Sequence, residues 1–241
     1  MAYNLFYKNM YVIVFSFIVL LGFLANNANA YGRIPLTVQE YRTWPIYCLA
    51  TEKNDDREAQ DRYLTRHQKV VAAQTGIWHY CLALIYVQRS ERGEDILDER
   101  AINDLFYSYD KIPKSEPWAR DMEVTIARAF RIKGDYEKAE HYLEIARAKS
   151  PDMAIVYSVL SSLHFDRLDY HQAVKVLEAG NEATEGTSAE INYFLGLAYL
   201  SIGNIDKAKK QEDIASSLGY PLKGLAKKID EYERENISVN K

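Results

Sequence analysis

The chain has 241 residues, of which 48% are hydrophobic and 27% charged, and 34 acidic side chains outnumber 30 basic ones. A net charge of −4 at pH 7 provides no field to draw nucleic acid or an anionic membrane surface, so neither is expected as a partner.

Residues 1–30 have the layout of a secretory signal peptide. Lys8 is the only charged side chain there, Met10 to Leu24 is an apolar run, and Ala28-Asn29-Ala30 puts small residues where a signal peptidase needs them. The expectation is cleavage after Ala30 and a periplasmic or secreted protein. The run is short for a membrane span, which takes about 20 residues; an uncleaved N-terminal membrane anchor is the alternative. The mature chain would hold no membrane span. No cysteine lies near the cleavage site, so no lipid anchor is implied.

Residues 31–59 read as an irregular N-terminal cover. Thr37 and Glu40 have capping-box spacing for a short helix. Trp44, Ile46 and Tyr47 bring apolar bulk next to Cys48, and the stretch from Glu52 to Arg62 is a solvated linker or helix start. The only other cysteine is Cys81. In an oxidising compartment an even count points to a Cys48–Cys81 disulfide, which the chain-entropy argument values at roughly 3–4 kcal/mol. The alternative is two buried free thiols. A zinc site is poorly supported: His79 is near Cys81, but no second Cys or His pair has the spacing.

Residues 60–114 are expected to form a degenerate helical pair. A long helix should begin near Gln60 and be interrupted at Thr75-Gly76. Ile77 to Val87 is apolar on most faces and should be buried on most of them. Arg89 to Glu99 is a charged connection. A second helix is expected from Leu97 to Tyr109, with Ile102, Leu105, Phe106 and Tyr109 on one face. Ser115 is the expected N-cap of the helix that carries Trp118.

Residues 115–220 hold three units of a repeat. Ala139, Ala173 and Ala208 recur at spacings of 34 and 35, and Ala127, Ser161 and Gly196 each lie 12 residues before one of them. Phe130, His164 and Tyr199 follow those small residues by three. Small residues at this period let two antiparallel helices cross closely, while large ones fill the space between units. Gly134 and Gly203 fall where the first helix must turn, and Pro151 and Pro221 where the second cannot continue. Residues 221–241 read as a C-terminal capping helix and tail, with Leu222, Leu225, Ile229 and Tyr232 on one stripe.

On these residues the sequence resembles the tetratricopeptide repeat family. The strongest matches are Ala127, Phe130, Gly134, Tyr136, Ala139, Ala146 and Pro151 in one unit, and Leu195, Gly196, Tyr199, Gly203, Ala208 and Ala215 in another. The middle unit departs from the pattern, with Leu168 at the turn glycine and Gly180 at the late alanine. Leu82, Ala83, Tyr86, Ala101 and Pro113 give a looser fourth unit. The resemblance implies an all-α fold, a right-handed superhelical solenoid of antiparallel helix pairs.

There is no phosphate loop, nucleophile elbow, zinc helix or paired-carboxylate motif, so neither an enzyme nor a cofactor is expected. His164 and His171 fall on different helices, and His164 reads as a core residue. The resemblance implies that function lies on a concave groove lined by the first helix of each unit. Carried over by position, the partner-binding candidates are Tyr80, Asp121, Val124, Arg128, Arg131, Ser162, Phe165, Glu190 and Tyr193. Leu84, Gln88, Ile155, Ser158, Asp166, Leu197 and Leu200 would flank them; the alternative for Tyr80, Leu84 and Leu197 is a core position covered by the N-terminal segment or the neighbouring unit, and for Arg128 and Arg131 a solvated helix face. The lysine and asparagine clamp by which one branch of the family holds acidic chaperone termini is missing. The expected function is an exported adaptor that binds a protein or peptide partner without catalysis. The alternative is a small-ligand receptor, for a saccharide for example, using the groove aromatics.

Overall fold

The computed structural model describes residues 37–48 and 64–239. The expected signal peptide and the charged stretch from Glu52 to Arg62 lie outside them. The chain divides into two compact units, Met1–Trp44 and Pro45–Lys241. Among the described residues the secondary structure is helical, with no strand.

In the first unit, α1 spans Val38–Thr43. Its start is a complete capping box. The Thr37 amide donates to Glu40 Oε2 at 2.8 Å and the Glu40 amide donates to Thr37 Oγ1 at 3.2 Å.

The second unit opens with the turn at Pro45–Cys48 and then α2 (Arg66–Thr75), α3 (Ile77–Glu91) and α4 (Glu99–Tyr109). Helix α2 begins at Arg66, later than the expected Gln60, because Thr65 caps it by a box with Gln68. Gly76 breaks the long helix, as its neighbours Thr75 and Ile77 could not. It takes φ 61°, and a Cβ there would lie 2.7 Å from Tyr107 Cε1. The break turns the axis by 75°. Helix α3 buries Tyr80, Cys81, Leu84 and Ile85, but Trp78 on the same helix is exposed, so the burial is less complete than expected. Asp98 caps α4, so that helix starts two residues after the expected Leu97.

Three helix pairs follow: α5 (Pro117–Ile132) with α6 (Tyr136–Lys149), α7 (Ala154–Asp166) with α8 (Tyr170–Ala183), and α9 (Ala189–Ser201) with α10 (Ile205–Ser217). Helix α11 (Gly224–Val239) closes the series. Each helix packs on its partner in the pair. The first helices α3, α5, α7 and α9 also pack side by side, and each second helix touches the next first helix. This is the topology of a helix-pair solenoid. The repeated small residues are fully enclosed: Ala127, Ala139, Ser161, Ala173 and Ala208 have no measurable exposure. The buried Ser161 hydroxyl is satisfied by the Ser158 carbonyl at 2.8 Å.

The turns within the pairs share one device. Gly134 (φ 76°), Leu168 (φ 58°) and Gly203 (φ 77°) take the left-handed conformation. Asp135, Asp169 and Asn204 then cap the second helix through backbone amides three residues on. Two expectations are corrected. Glu116, not Ser115, occupies the N-cap of α5, with Pro117 supplying the first helical turn. His164 is half-buried near the end of α7 and not in the core. Among the described residues no single helix is long and apolar enough to cross a membrane.

Candidate binding face

The first helices place a row of polar side chains on one face of the solenoid. On α5 the row is Asp121, Thr125 and Arg128, spaced by four and three residues and so nearly in line. Arg128 grips Glu91 at the end of α3 with both limbs of its guanidinium: Nε donates to Oε1 at 2.8 Å and Nη2 donates to Oε2. One turn later, Arg131 grips Asp166 at the end of α7, Nε to Oδ2 at 2.7 Å and Nη2 to Oδ1 at 3.0 Å. Burial works against the Arg128 charge, but the bond to Glu91 and the fields of Glu91, Tyr80 and Glu190 outweigh it and raise its pKa. Glu190, on α9, is therefore electrically coupled to a helix two pairs away. Its own carboxyl is pushed up by burial, against the opposing pull of a hydrogen bond from Ser158 and of Arg128.

The face thus brings together four of the expected residues: Asp121, Arg128, Arg131 and Glu190. Ser162 lies nearby on α7, its hydroxyl given to the Ser158 carbonyl at 2.9 Å. Phe165 is partly buried and meets Tyr170 edge-on at 5.8 Å.

Three expected contact residues belong to the core instead. Val124 is 4% exposed and packs with Ala127, Ala139 and Leu163. Tyr193 is 8% exposed, with Tyr220 stacked on it at 4.4 Å. Its hydroxyl lies where a Cβ at Gly224 would fall, 2.8 Å away, so α11 comes in over it. Tyr80 is 1% exposed, and its hydroxyl lies 3.0 Å from Thr125 Oγ1. Burial raises its pKa to about 12. Leu84 is likewise in the core. Tyr80 and Tyr193, two of the aromatics expected to serve a saccharide, are thus covered, while Phe165 is partly exposed.

The segment expected as an N-terminal cover supplies the residue that covers Tyr80. Tyr47 lies over it, with ring centroids 6.2 Å apart, and over Trp118 at 4.7 Å. The Tyr47 hydroxyl donates to Asp121 Oδ2 at 3.0 Å. Burial, then the neighbouring Tyr80 and Asp121, push that hydroxyl well above its ordinary pKa. The expected Cys48–Cys81 disulfide is formed, with Cα atoms 5.5 Å apart, and it fixes this arrangement. Tyr47 and Tyr80 each sit one position before a bonded cysteine, which is the signal that pairs them. Glu91, expected in the charged connection, is instead the last residue of α3. Among the described residues no group of three His, Cys, Asp or Glu side chains converges as a metal site.

The molecule is therefore a helix-pair solenoid with a polar, ion-paired face along its first helices. Residues 189–211, which are α9 and the start of α10, match the family model of the tetratricopeptide repeat. That match and the stacked helix pairs support a place in the tetratricopeptide repeat family. Superkiller complex protein 3 from Homo sapiens is 32% identical over 104 residues; the match covers 43% of this chain and 6% of that protein's length. Among solved structures, MamA (AMB-1) is similar with a TM-score of 0.45 at 19% identity, covering 67% of this chain and 89% of that one. MamA 41-end from Desulfovibrio magneticus RS-1 gives 0.43 at 20% identity, covering 65% and 96%.

Proposed function

We propose that this chain is an exported adaptor that holds a protein partner on its first-helix face, which forms the concave groove, and performs no chemical step. The observation that carries the reading is the run of partly exposed polar side chains across adjacent first helices, from Arg128 through Ser162 to Glu190. Such a face offers hydrogen bonds and charge over several helices, which suits an extended or helical protein segment better than a small molecule. The export reading rests on the apolar run at Met10 to Leu24, the small residues at Ala28 to Ala30 and the buried disulfide.

The test is capture from the native envelope extract by the chain from Tyr31 onward, kept oxidised. The expected result is one reproducible protein that a peptide of its own sequence displaces. Glu190→Lys and Arg128→Ala should each lose that capture while keeping the helical circular dichroism of the parent. Unchanged capture by both variants, or no capture by a folded, oxidised sample, would overturn the reading.

A further inference from the structure

Tyr80, Trp118 and Asp121, on α3 and α5, surround Tyr47, which belongs to neither helix. The Tyr80 hydroxyl is held at Thr125, and its backbone amide donates to Ser108 Oγ at 3.3 Å. Thr125 in turn donates to the Asp121 carbonyl at 2.8 Å. Trp118 sits on the first turn of α5, within the same helix as Asp121. These bonds hold the backbone of α3, α4 and α5 and the Tyr80 hydroxyl in place, while the Trp118 ring and the Asp121 carboxylate meet Tyr47, which arrives from a different stretch of chain, 74 residues before Asp121.

The occupant matches the site chemically. Tyr47 is 6% exposed, its ring lies against two aromatic rings, and its hydroxyl meets a carboxylate. An ionised carboxylate only accepts hydrogen bonds, so a donor is required there. A phenylalanine would fill the same space and leave the partly buried Asp121 oxygen without that donor, at the cost of a charged hydrogen bond. Burial already pushes the Asp121 carboxyl up, and the Tyr47 bond and Arg120 pull it back. Cys48, next in sequence, is bonded to Cys81, next after Tyr80. The tether keeps Tyr47 at high effective concentration over its site.

We propose that Tyr80, Trp118 and Asp121 form a tyrosine-binding seat, which the chain fills with its own Tyr47 and the Cys48–Cys81 bond holds closed. The face open to an outside partner then begins at Arg128. A tyrosine-bearing segment of another chain is excluded from the seat as long as the bond is intact. The seat goes beyond the adaptor reading and stands whether or not a partner is captured.

The experiment needs no unknown ligand. The full chain carrying Tyr47→Ala, Cys48→Ser and Cys81→Ser is titrated into a fluorescein-labelled peptide of residues 45–50 with serine at position 48, and anisotropy is followed. Saturable binding is expected, at least about tenfold tighter for the tyrosine peptide than for its phenylalanine form, the size of one charged hydrogen bond. The oxidised parent should bind neither. Equal affinity for the two peptides would overturn the proposal. So would equal binding by the oxidised parent, or no binding by a variant with native helical content. Should the triple variant not fold, Tyr47→Ala with the disulfide intact is titrated with p-cresol and toluene. A rise in Tm with p-cresol that exceeds the rise with toluene supports the seat. Equal rises, or none, would mark an ordinary core position.

Discussion

Arg131 holds Asp166 at two points across 35 residues of chain, and so ties α5 to α7. Arg128 does the same for α5 and α3 through Glu91, 37 residues away in the other direction. Consecutive first helices are therefore pinned by bidentate ion pairs at the same end of the helix. The arginines reach a partner with their charge already balanced. Both pairs are partly exposed, with side chains between 20% and 29% accessible. Solvent screening at that exposure limits such a pair to about 0–1 kcal/mol. A double-mutant cycle on Arg131→Ala and Asp166→Ala, read by urea unfolding, should give a coupling below about 1 kcal/mol that shrinks with added salt. A larger, salt-insensitive coupling would mean that the pair sets the stacking of the repeats.

Leu168 does the work of a glycine at a cost. Its φ of 58° matches those of Gly134 and Gly203 at the equivalent turns, and its side chain is 70% exposed, so little packing offsets the conformation. A left-handed residue with a Cβ costs roughly 1–2 kcal/mol. Glycine returns part of that gain through the entropy of the unfolded chain, about 0.5–1 kcal/mol. Leu168→Gly should therefore raise stability by about 0.5–1 kcal/mol, visible as a higher urea midpoint with an unchanged slope. A lower midpoint would show that Leu168 makes contacts worth more than the strain.

Gly180 stands where the other repeats place Ala146 and Ala215, and Tyr157 is the reason. A Cβ at Gly180 would lie 2.6 Å from Tyr157 Cγ and 2.7 Å from its Cβ. That is the root of the side chain, which cannot swing aside. The far end is held too, because the hydroxyl donates to the Pro151 carbonyl at 2.7 Å. Alanine would gain about 1 kcal/mol of helix propensity in α8, and overpacking would cost about 1–3 kcal/mol. The steric cost should win, so Gly180→Ala should lower Tm, and Tyr157→Ala, which removes the clashing Cγ, should cost less in the Gly180→Ala protein than in the parent. A Gly180→Ala protein as stable as the parent would mean that α7 and α8 shift apart freely.

The repeat was legible because small residues at a helix crossing admit no substitute, and Ala139, Ala173 and Ala208 mark the crossings in any reading of the chain. The face was legible in part. Position on a helix tells which way Asp121, Arg128 and Glu190 point. It does not tell how near the next piece of chain comes. Val124 points inward enough to reach Leu163. Tyr193 is covered by Tyr220 and by the approach of α11 at Gly224. Tyr80 is covered by Tyr47, brought in by a disulfide from a segment with no repeat pattern of its own. Glu91 is recognisable as a partner of Arg128 only once α3 and α5 are seen side by side. Leu168 and Gly180, which look like lapses of the pattern, are local solutions set by the turn geometry and by Tyr157.

Glu190 gives the candidate face a dependence on pH whose sign follows from its surroundings. Burial raises its carboxyl above the ordinary value of 4.5, although Ser158 and Arg128 oppose the shift. The folded protein therefore keeps that proton to a higher pH than the unfolded chain. Folding stability from this group falls as pH rises from about 4.5 through the folded value, and it levels off above. Glu190→Gln removes the titration and leaves a side chain of nearly the same shape. The difference in urea midpoint, variant minus parent, should therefore increase from below pH 4.5 to neutrality. Asp121→Asn is the natural comparison, since burial also raises Asp121, from 3.8, so its difference should begin to grow at a lower pH. Parallel midpoint curves for parent and Glu190→Gln would show that Ser158 and Arg128 fully compensate the burial. The face would then carry an ionised Glu190 at no cost across the acid range.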